Sequence, residues 1–295
     1  MDPVGLTLGV VSLAASATGT FTSIVQCFEY VELGRRFGKD FTKSQAQLDA
    51  LKLQLTRWGI AAGILPDPRT GLRQSVDVDS ATETTVNNLL NSILEDIGEV
   101  EHKSNKYRAQ NAPAGADLEV FGPSDMDEST QALSARTKTI WAKRTKAVSW
   151  VKKTEWAVYE KKYFDRLLED ISGNLGHLEK LSQPIVDSQQ ELCRVEVEEV
   201  GDGQSEAVLQ LLHDASQANG DGLLEQALRE AIAARGCGHR WERTEVGDDV
   251  KLAQGDRIAS DFKGHAPLGR LGHNYGVTIG KGKSEIIQGD TYGTI

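Results

Sequence analysis

Cysteine is scarce in this chain of 295 residues, which contains only Cys27, Cys193 and Cys237. An odd number of cysteines without the close spacing of metal ligands indicates neither a disulfide framework nor a zinc site. We therefore expect a protein of a reducing compartment, with a cytoplasmic location.

The sequence also lacks the motifs of catalysis and of cofactor binding. Residues 282–284 read Gly-Lys-Ser, but Val277 stands where a phosphate-binding loop requires glycine. The histidines do not have the spacing of metal ligands, and no serine or cysteine lies in a nucleophile motif. We predict that the protein is not an enzyme and uses neither a metal nor a cofactor.

A positively charged leader is missing as well, because Asp2 is the first charged side chain, and this argues against a secretory signal peptide. Residues 3–28 carry no charge, and this uncharged run exceeds the about 20 residues that a helix needs to span a bilayer. Small residues recur in it at a spacing that lets helices approach closely in a membrane, namely Gly5, Gly9, Ala15, Gly19 and Ser23. Two interpretations stay open: a buried first helix of a soluble bundle, and a latent membrane segment. Both can hold at different times.

Basic residues are concentrated between residues 129 and 154, where seven lysines and arginines occur without an acid, together with Trp141 and Trp150. Such a stretch is compatible with an anionic membrane surface. A solvated helix face with the tryptophans turned to the core is the favoured interpretation. Nucleic-acid binding is disfavoured, because the net charge is −10 and no recognised binding module is present.

Apolar residues recur at helical spacing before residue 237. One stripe contains Leu48, Leu51, Leu55 and Trp58, and a second begins after an expected capping box at residues 80–83 and contains Val86, Leu90, Ile93, Leu94, Ile97 and Val100. Further helices are expected over residues 129–151, 155–181, 184–200, 205–218 and 223–234. Because no confident strand is recognisable in this region, we predict an all-α helical bundle over residues 1–235.

The C-terminal residues contain an internal repeat, because residues 238–260 and 272–294 match at an offset of 34 with six identities in 23 positions. The charges at this offset are complementary: Asp249 falls opposite Lys283, and Lys251 opposite Glu285. If the copies stack as β-layers about 4.8 Å apart, each of these positions lies over a residue of opposite charge. We therefore predict stacked repeats, joined by a loop over residues 261–271.

Each copy alternates apolar and charged positions with the period of a strand and then reaches a glycine, where a bend is expected. The predicted core of the stack contains His239, Val250, Leu252, Gln254, Gly255, Asp256, His273, Ile279, Ile286, Gln288, Gly289 and Asp290. Eleven glycines and balanced charge over residues 238–295 make a conventional packed domain unfavourable, so residues 236–295 are expected to be disordered in the monomer. Exposed strand edges template identical copies, so the expected assembled state is a fibril.

The residues that carry these features resemble a known family. Residues 278–293 resemble the prion-forming region of the fungal HET-s/HET-S heterokaryon-incompatibility proteins, and residues 27–31, 33–35, 37–38 and 55–59 resemble their HeLo domain. The resemblance implies a β-solenoid amyloid built from two pseudo-repeats per molecule. In the cell-killing form, it implies that conversion of the tail disturbs the helical domain and releases the N-terminal helix, with pore formation at the plasma membrane.

The resemblance also implies partners: further copies of the chain, HET-s-like prion proteins, plasma-membrane lipids on activation, and a nucleotide-binding receptor bearing a similar motif.

Two departures from the family pattern affect what we expect of fibril formation and of cell killing. Asp256 and Asp290 replace an asparagine ladder, so we expect fibrils to form more readily at mildly acidic pH. Arg36 replaces the proline of a non-toxic version, which favours killing competence. The alternatives are a non-toxic prion that seeds and regulates a toxic relative, and a soluble helical adaptor with a disordered tail.

Overall fold

The computed structural model describes residues 10–112, 118–149, 156–181, 183–236, 240–248, 251–258, 274–283 and 285–292. The chain divides into two compact units, Met1–Leu228 and Arg229–Ile295. We describe each unit by itself.

The helices confirm the predicted bundle. Their bounds are α1 (Leu13–Glu29), α2 (Phe41–Ala61), α3 (Ser80–Asn111), α4 (Glu128–Arg144), α5 (Lys161–Glu179), α6 (Gln183–Gly201), α7 (Glu206–Ala218) and α8 (Gly222–Gly236). Short 3-10 turns cover Arg35–Asp40 and Pro123–Asp125. The expected capping box is displaced by one residue, because α3 is capped by Asp79, whose carboxylate accepts a hydrogen bond from the Thr82 amide at 2.7 Å.

The expectation that no strand precedes residue 237 was wrong. In the described part of the first unit, four three-residue strands precede or connect the helices: β1 (Val10–Ser12), β2 (Val31–Leu33), β3 (Asp77–Asp79) and β4 (Trp156–Val158). β1 pairs with β3 in antiparallel, and β2 pairs with β4 in parallel. These strands satisfy backbone groups beside the helix ends, and three residues are too short to show an alternating pattern. Because residues 156–158 form β4, α5 begins at Lys161 and not at residue 155.

Helix α2 is the centre of the first unit, because it packs against α4, α5, α6 and α7 and also touches α1. Its residues from Leu53 to Ala61 are all buried. Helix α1 packs mainly on α3, and the ring of Phe21 lies 5.8 Å from that of Trp58 on α2. The apolar stripe of α3 (Val86, Leu90, Ile93 and Ile97) belongs to the same core.

The residues of the second unit that the structure describes form four strands: β5 (Arg240–Val246), β6 (Lys251–Ile258), β7 (Asn274–Gly280) and β8 (Glu285–Tyr292). β5 pairs with β7 and β6 with β8, both in parallel. This order within one chain differs from the expectation of a disordered monomeric tail, because each repeat here provides the partner strand for the other.

Candidate functional site

The two repeats pair in a single register. Every paired residue of β7 and β8 lies 34 residues after its partner, so Trp241 pairs with Tyr275 between β5 and β7, and Leu252 pairs with Ile286 between β6 and β8. Lys251 lies opposite Glu285, which brings together one of the two predicted charge pairs. A parallel, in-register arrangement of this kind is the one that can extend by addition of identical strands.

The glycines and aspartates of the repeats also coincide, since Gly255 faces Gly289 and Asp256 faces Asp290. Gln254 and Gln288 lie within β6 and β8, and Ile279 lies in β7 opposite Glu245. Four other predicted residues, which are His239, Asp249, Val250 and His273, lie outside the described residues. The second predicted pair, Asp249 with Lys283, is therefore not described.

The turn of the second repeat contains a close contact that the sequence reading missed. Gly282 has a positive φ of 63°, and a Cβ added there would meet the carboxylate of Asp248, which occupies the equivalent position of the first repeat. The 34-residue offset relates these two residues and was the available signal. A glycine is required at this turn for both its backbone angle and its space.

Helix α1 contains most of the described part of the predicted membrane segment. Its buried face includes Phe21 and Phe28, whereas Ala15 and Gly19 are exposed and Ser23 is partly exposed. Gly5 and Gly9 lie outside the described residues. In the part of the chain that the structure describes, no helix combines the length and apolar character that crossing a membrane requires.

Both ends of α1 are held by polar contacts. At its start, the Leu13 amide donates to the Val76 carbonyl at 3.0 Å, beside the pairing of β1 with β3. At its end, the Gln26 side chain donates to the Ser149 carbonyl at 2.5 Å, and the Trp141 indole N–H donates to the Glu29 carboxylate at 2.6 Å.

The basic stretch agrees with the favoured interpretation where it is described. Trp141 is buried, and Lys138, Lys143 and Lys146 are exposed. Arg144 departs from that interpretation, because its guanidinium is buried in the cluster described below. Trp150 and the two lysines that follow it lie outside the described residues.

Arg36 lies in the first 3-10 turn and contacts α3. Its guanidinium donates a hydrogen bond to the Tyr107 hydroxyl and lies 5.5 Å from the centre of the Tyr107 ring. That ring stacks on Tyr159, with the centroids 5.7 Å apart. Arg36 therefore connects the turn after β2 to α3 and to the residue that follows β4.

A buried ionic cluster lies beside α2 and was not predicted. The Arg57 guanidinium is 2.7 Å from Glu196 and 2.5 Å from Asp221, with Glu179 at 3.4 Å. Arg144 is 2.6 Å from the second oxygen of Glu196. Burial raises the pKa of the Glu179 carboxyl, against the opposing effect of Arg57.

Comparisons with known proteins agree with this architecture. The family model HeLo, described as prion-inhibition and propagation, matches residues 5–211. Heterokaryon incompatibility protein S of Podospora anserina is 32% identical over 96% of this chain and 96% of the relative. Heterokaryon incompatibility protein s of the same fungus is 33% identical over 97% of this chain and 96% of the relative.

Solved structures also match. The HET-s N-terminal domain is similar with a TM-score of 0.63 and 32% sequence identity, over 76% of this chain and 98% of that structure. A double mutant of the same domain gives the same TM-score and identity, over 75% of this chain and 99% of that structure.

Proposed function

Because the chain belongs to the HeLo family of prion-inhibition and propagation proteins, which are not enzymes, we propose that it is an amyloid-controlled effector of fungal heterokaryon incompatibility and programmed cell death. Its tail assembles with further copies into a β-solenoid. Assembly then activates the helical unit for insertion into the plasma membrane and pore formation, and before activation the protein is cytoplasmic.

The observation that carries the proposal is the parallel register of the repeats, with Lys251 opposite Glu285 and Gly255 opposite Gly289. Each of these strands has one partner in the described tail, so its other edge presents backbone groups to a further copy. If β8 of one copy pairs with β6 of the next in the same register, each Lys251 lies between two Glu285 residues, one from its own copy and one from the neighbouring copy. The two pseudo-repeats can therefore stack into a fibril in which the strand register is the same within a copy and between copies.

The effect on the membrane depends on α1. The helix buries Phe21 and Phe28 on one face while Gly19 is exposed on the other, and polar contacts hold its two ends. Release from these contacts exposes the apolar face of a segment without charge from Pro3 to Phe28. An uncharged segment of this length is compatible with insertion. Anionic lipids are the expected membrane partner of the exposed lysines Lys138, Lys143 and Lys146.

Two classes of protein partner follow from the same tail. HET-s-like prion proteins with a compatible repeat can add to the outer strand edges, and so can a nucleotide-binding receptor that bears a similar motif. Both would act as templates, since recognition by strand addition relies mainly on backbone hydrogen bonds with side chains supplying specificity.

The test is dye release from liposomes that contain anionic lipid, using the full chain with and without preformed fibrils of the same protein. We expect leakage only when fibrils are added, and we expect Lys251→Glu to delay it. Fibril growth without leakage would favour the non-toxic prion. Failure to form fibrils at any pH would favour the helical adaptor.

A further inference from the structure

Three consecutive residues near the end of α2, which are Arg57, Trp58 and Gly59, contact different parts of the first unit. Arg57 faces the carboxylates of α5, α6 and the residue before α8. The Trp58 indole N–H donates to the Leu178 carbonyl at 3.2 Å, and its ring packs on Phe21 of α1. All three residues are buried, and residues 55–59 are one of the segments that resemble the HeLo domain.

Gly59 completes this contact on the side of α1. A Cβ at Gly59 would overlap the ring of Phe21, so the ring lies directly against the backbone of α2. Phe21 is fully buried and contacts Trp58 as well. A shift of the last turn of α2 therefore cannot leave Phe21 in place, because closely packed interiors transmit displacement instead of absorbing it.

Asp221 makes the equivalent contact on the side of α8. One carboxylate oxygen accepts a hydrogen bond from the Leu224 amide at 3.1 Å and so caps the helix, and the other lies 2.5 Å from the Arg57 guanidinium. The side chain is buried, as are Leu224 and Leu228 in the first half of α8. The Asp221 carboxylate therefore both caps the start of α8 and forms an ion pair with Arg57.

The charges around Arg57 make this contact costly to break. Arg57 and Arg144 share Glu196 between them, and Glu179 and Asp221 complete the partners of Arg57. If α8 leaves and takes Asp221 with it, Arg57 loses its shortest ion pair while it remains buried. A buried guanidinium that loses a partner is strongly destabilised, so Arg57 must move toward the remaining acids or toward water.

We propose that residues 57–59 form a junction that couples the docking of α8 to the docking of α1, with Asp221 as the positioning residue on one side and Phe21 on the other. The use of this junction in signalling rests on the proposed function, since α8 is the helix that runs to Gly236, just before the strands of the tail. The coupling itself is a property of the first unit and does not depend on assembly.

The test is amide hydrogen exchange of the full chain without fibrils or lipid. Asp221→Asn keeps a good helix cap but removes the charge that faces Arg57. Because a hydrogen bond to a charged group is lost, we expect exchange to rise about tenfold or more in α8 and to rise in α1 too, with α3 and α4 much less affected. Gly59→Ala displaces Phe21 and is expected to raise exchange in α8, because coupling between sites is reciprocal.

Val78→Ala is the matched control. It loosens the pairing of Val78 with Val11 at the start of α1, outside residues 57–59, and is expected to raise exchange in α1 without raising it in α8. Faster exchange in α8 alone after Asp221→Asn would overturn the junction, and so would an equal rise in all helices. If Asp221→Asn does not fold, Gly59→Ala carries the same test in the opposite direction. The exchange experiment contains no liposomes. The proposed function can therefore fail while the junction holds, and the junction can fail while the proposed function holds.

Discussion

Lys251 lies directly opposite Glu285 in the parallel pairing of β6 with β8. This relationship links the sequence repeat to a charge pattern that extended stacking would multiply. The contribution of one such pair is small, but a fibril repeats it in every layer. Charge changes at these two residues are therefore a direct test of the register.

We expect Lys251→Glu to lengthen the lag before fibrils form, because it places two carboxylates opposite each other. The double variant Lys251→Glu with Glu285→Lys should restore the original rate. Thioflavin fluorescence of the full chain gives the lag times. Lys281→Glu changes the net charge equally at an exposed turn position and serves as the control. Equal lag times for Lys251→Glu and Lys281→Glu would rule out the stacked register.

Asp256 opposite Asp290 predicts a pH dependence of assembly. Stacked carboxylates repel one another in the fibril, and protonation removes the repulsion. Fibrils are therefore expected to form faster at about pH 5 than at about pH 7.5, within the range where neighbouring carboxylates begin to bind protons. The variant with asparagine at both positions should assemble at similar rates at the two pH values. If the variant keeps the full pH dependence of the parent chain, the aspartate pair is not its source.

The buried cluster predicts opposite effects for two similar substitutions. Burial raises the pKa of Glu179 above its ordinary value of 4.5, so the folded protein holds a proton there more tightly than the unfolded chain does. The stabilisation from that proton is present at low pH and is lost as the pH rises through the folded-state pKa. Glu179→Gln should therefore keep or raise the free energy of unfolding at neutral pH and reduce its fall with rising pH.

Glu196→Gln is the contrasting variant, because Glu196 is fully buried and pairs with both Arg57 and Arg144. Removing its charge should lower the free energy of unfolding by about 3 kcal/mol or more. Urea unfolding of both variants at acidic and neutral pH measures the difference. If the free energy of unfolding falls equally in the two variants, Glu179 contributes as much to stability as Glu196, and the prediction is wrong.

Local patterns predicted the helices and the repeat register well. The stripe with Val86, Leu90 and Ile93 gave α3, because a helix that buries one face must repeat apolar residues every three or four positions. The offset of 34 residues gave the pairing of Lys251 with Glu285, since parallel in-register strands align equivalent positions.

Contacts between distant residues were not predictable in this way. Val31 pairs with Trp156 across a large sequence separation, and three residues are too few to show a period. Arg57 and Asp221 are 164 residues apart, and neither lies in a motif that marks a buried ion pair. Arg144 was assigned to a solvated face because the local charge pattern carries no information on which basic residue turns inward.

The end of α1 offers a way to test release of the N-terminal helix. Glu29 accepts the hydrogen bond of the buried Trp141 indole, so Glu29→Ala leaves that donor without its acceptor. Loss of such a hydrogen bond costs about 0.5–1.5 kcal/mol, and this cost falls on the contact that holds the C-terminal end of α1. We therefore expect leakage from liposomes to begin sooner after fibrils are added, with fibril growth unchanged.

Glu29→Gln is the matched control for this prediction, because its amide oxygen still accepts from Trp141 while the charge is removed. It should leak at nearly the rate of the parent chain. If both variants accelerate leakage equally, the charge of Glu29 and not its hydrogen bond restrains α1. If neither does, release of this helix end does not limit membrane damage, and the anchors at Leu13 and Gln26 become the contacts that hold α1 in place.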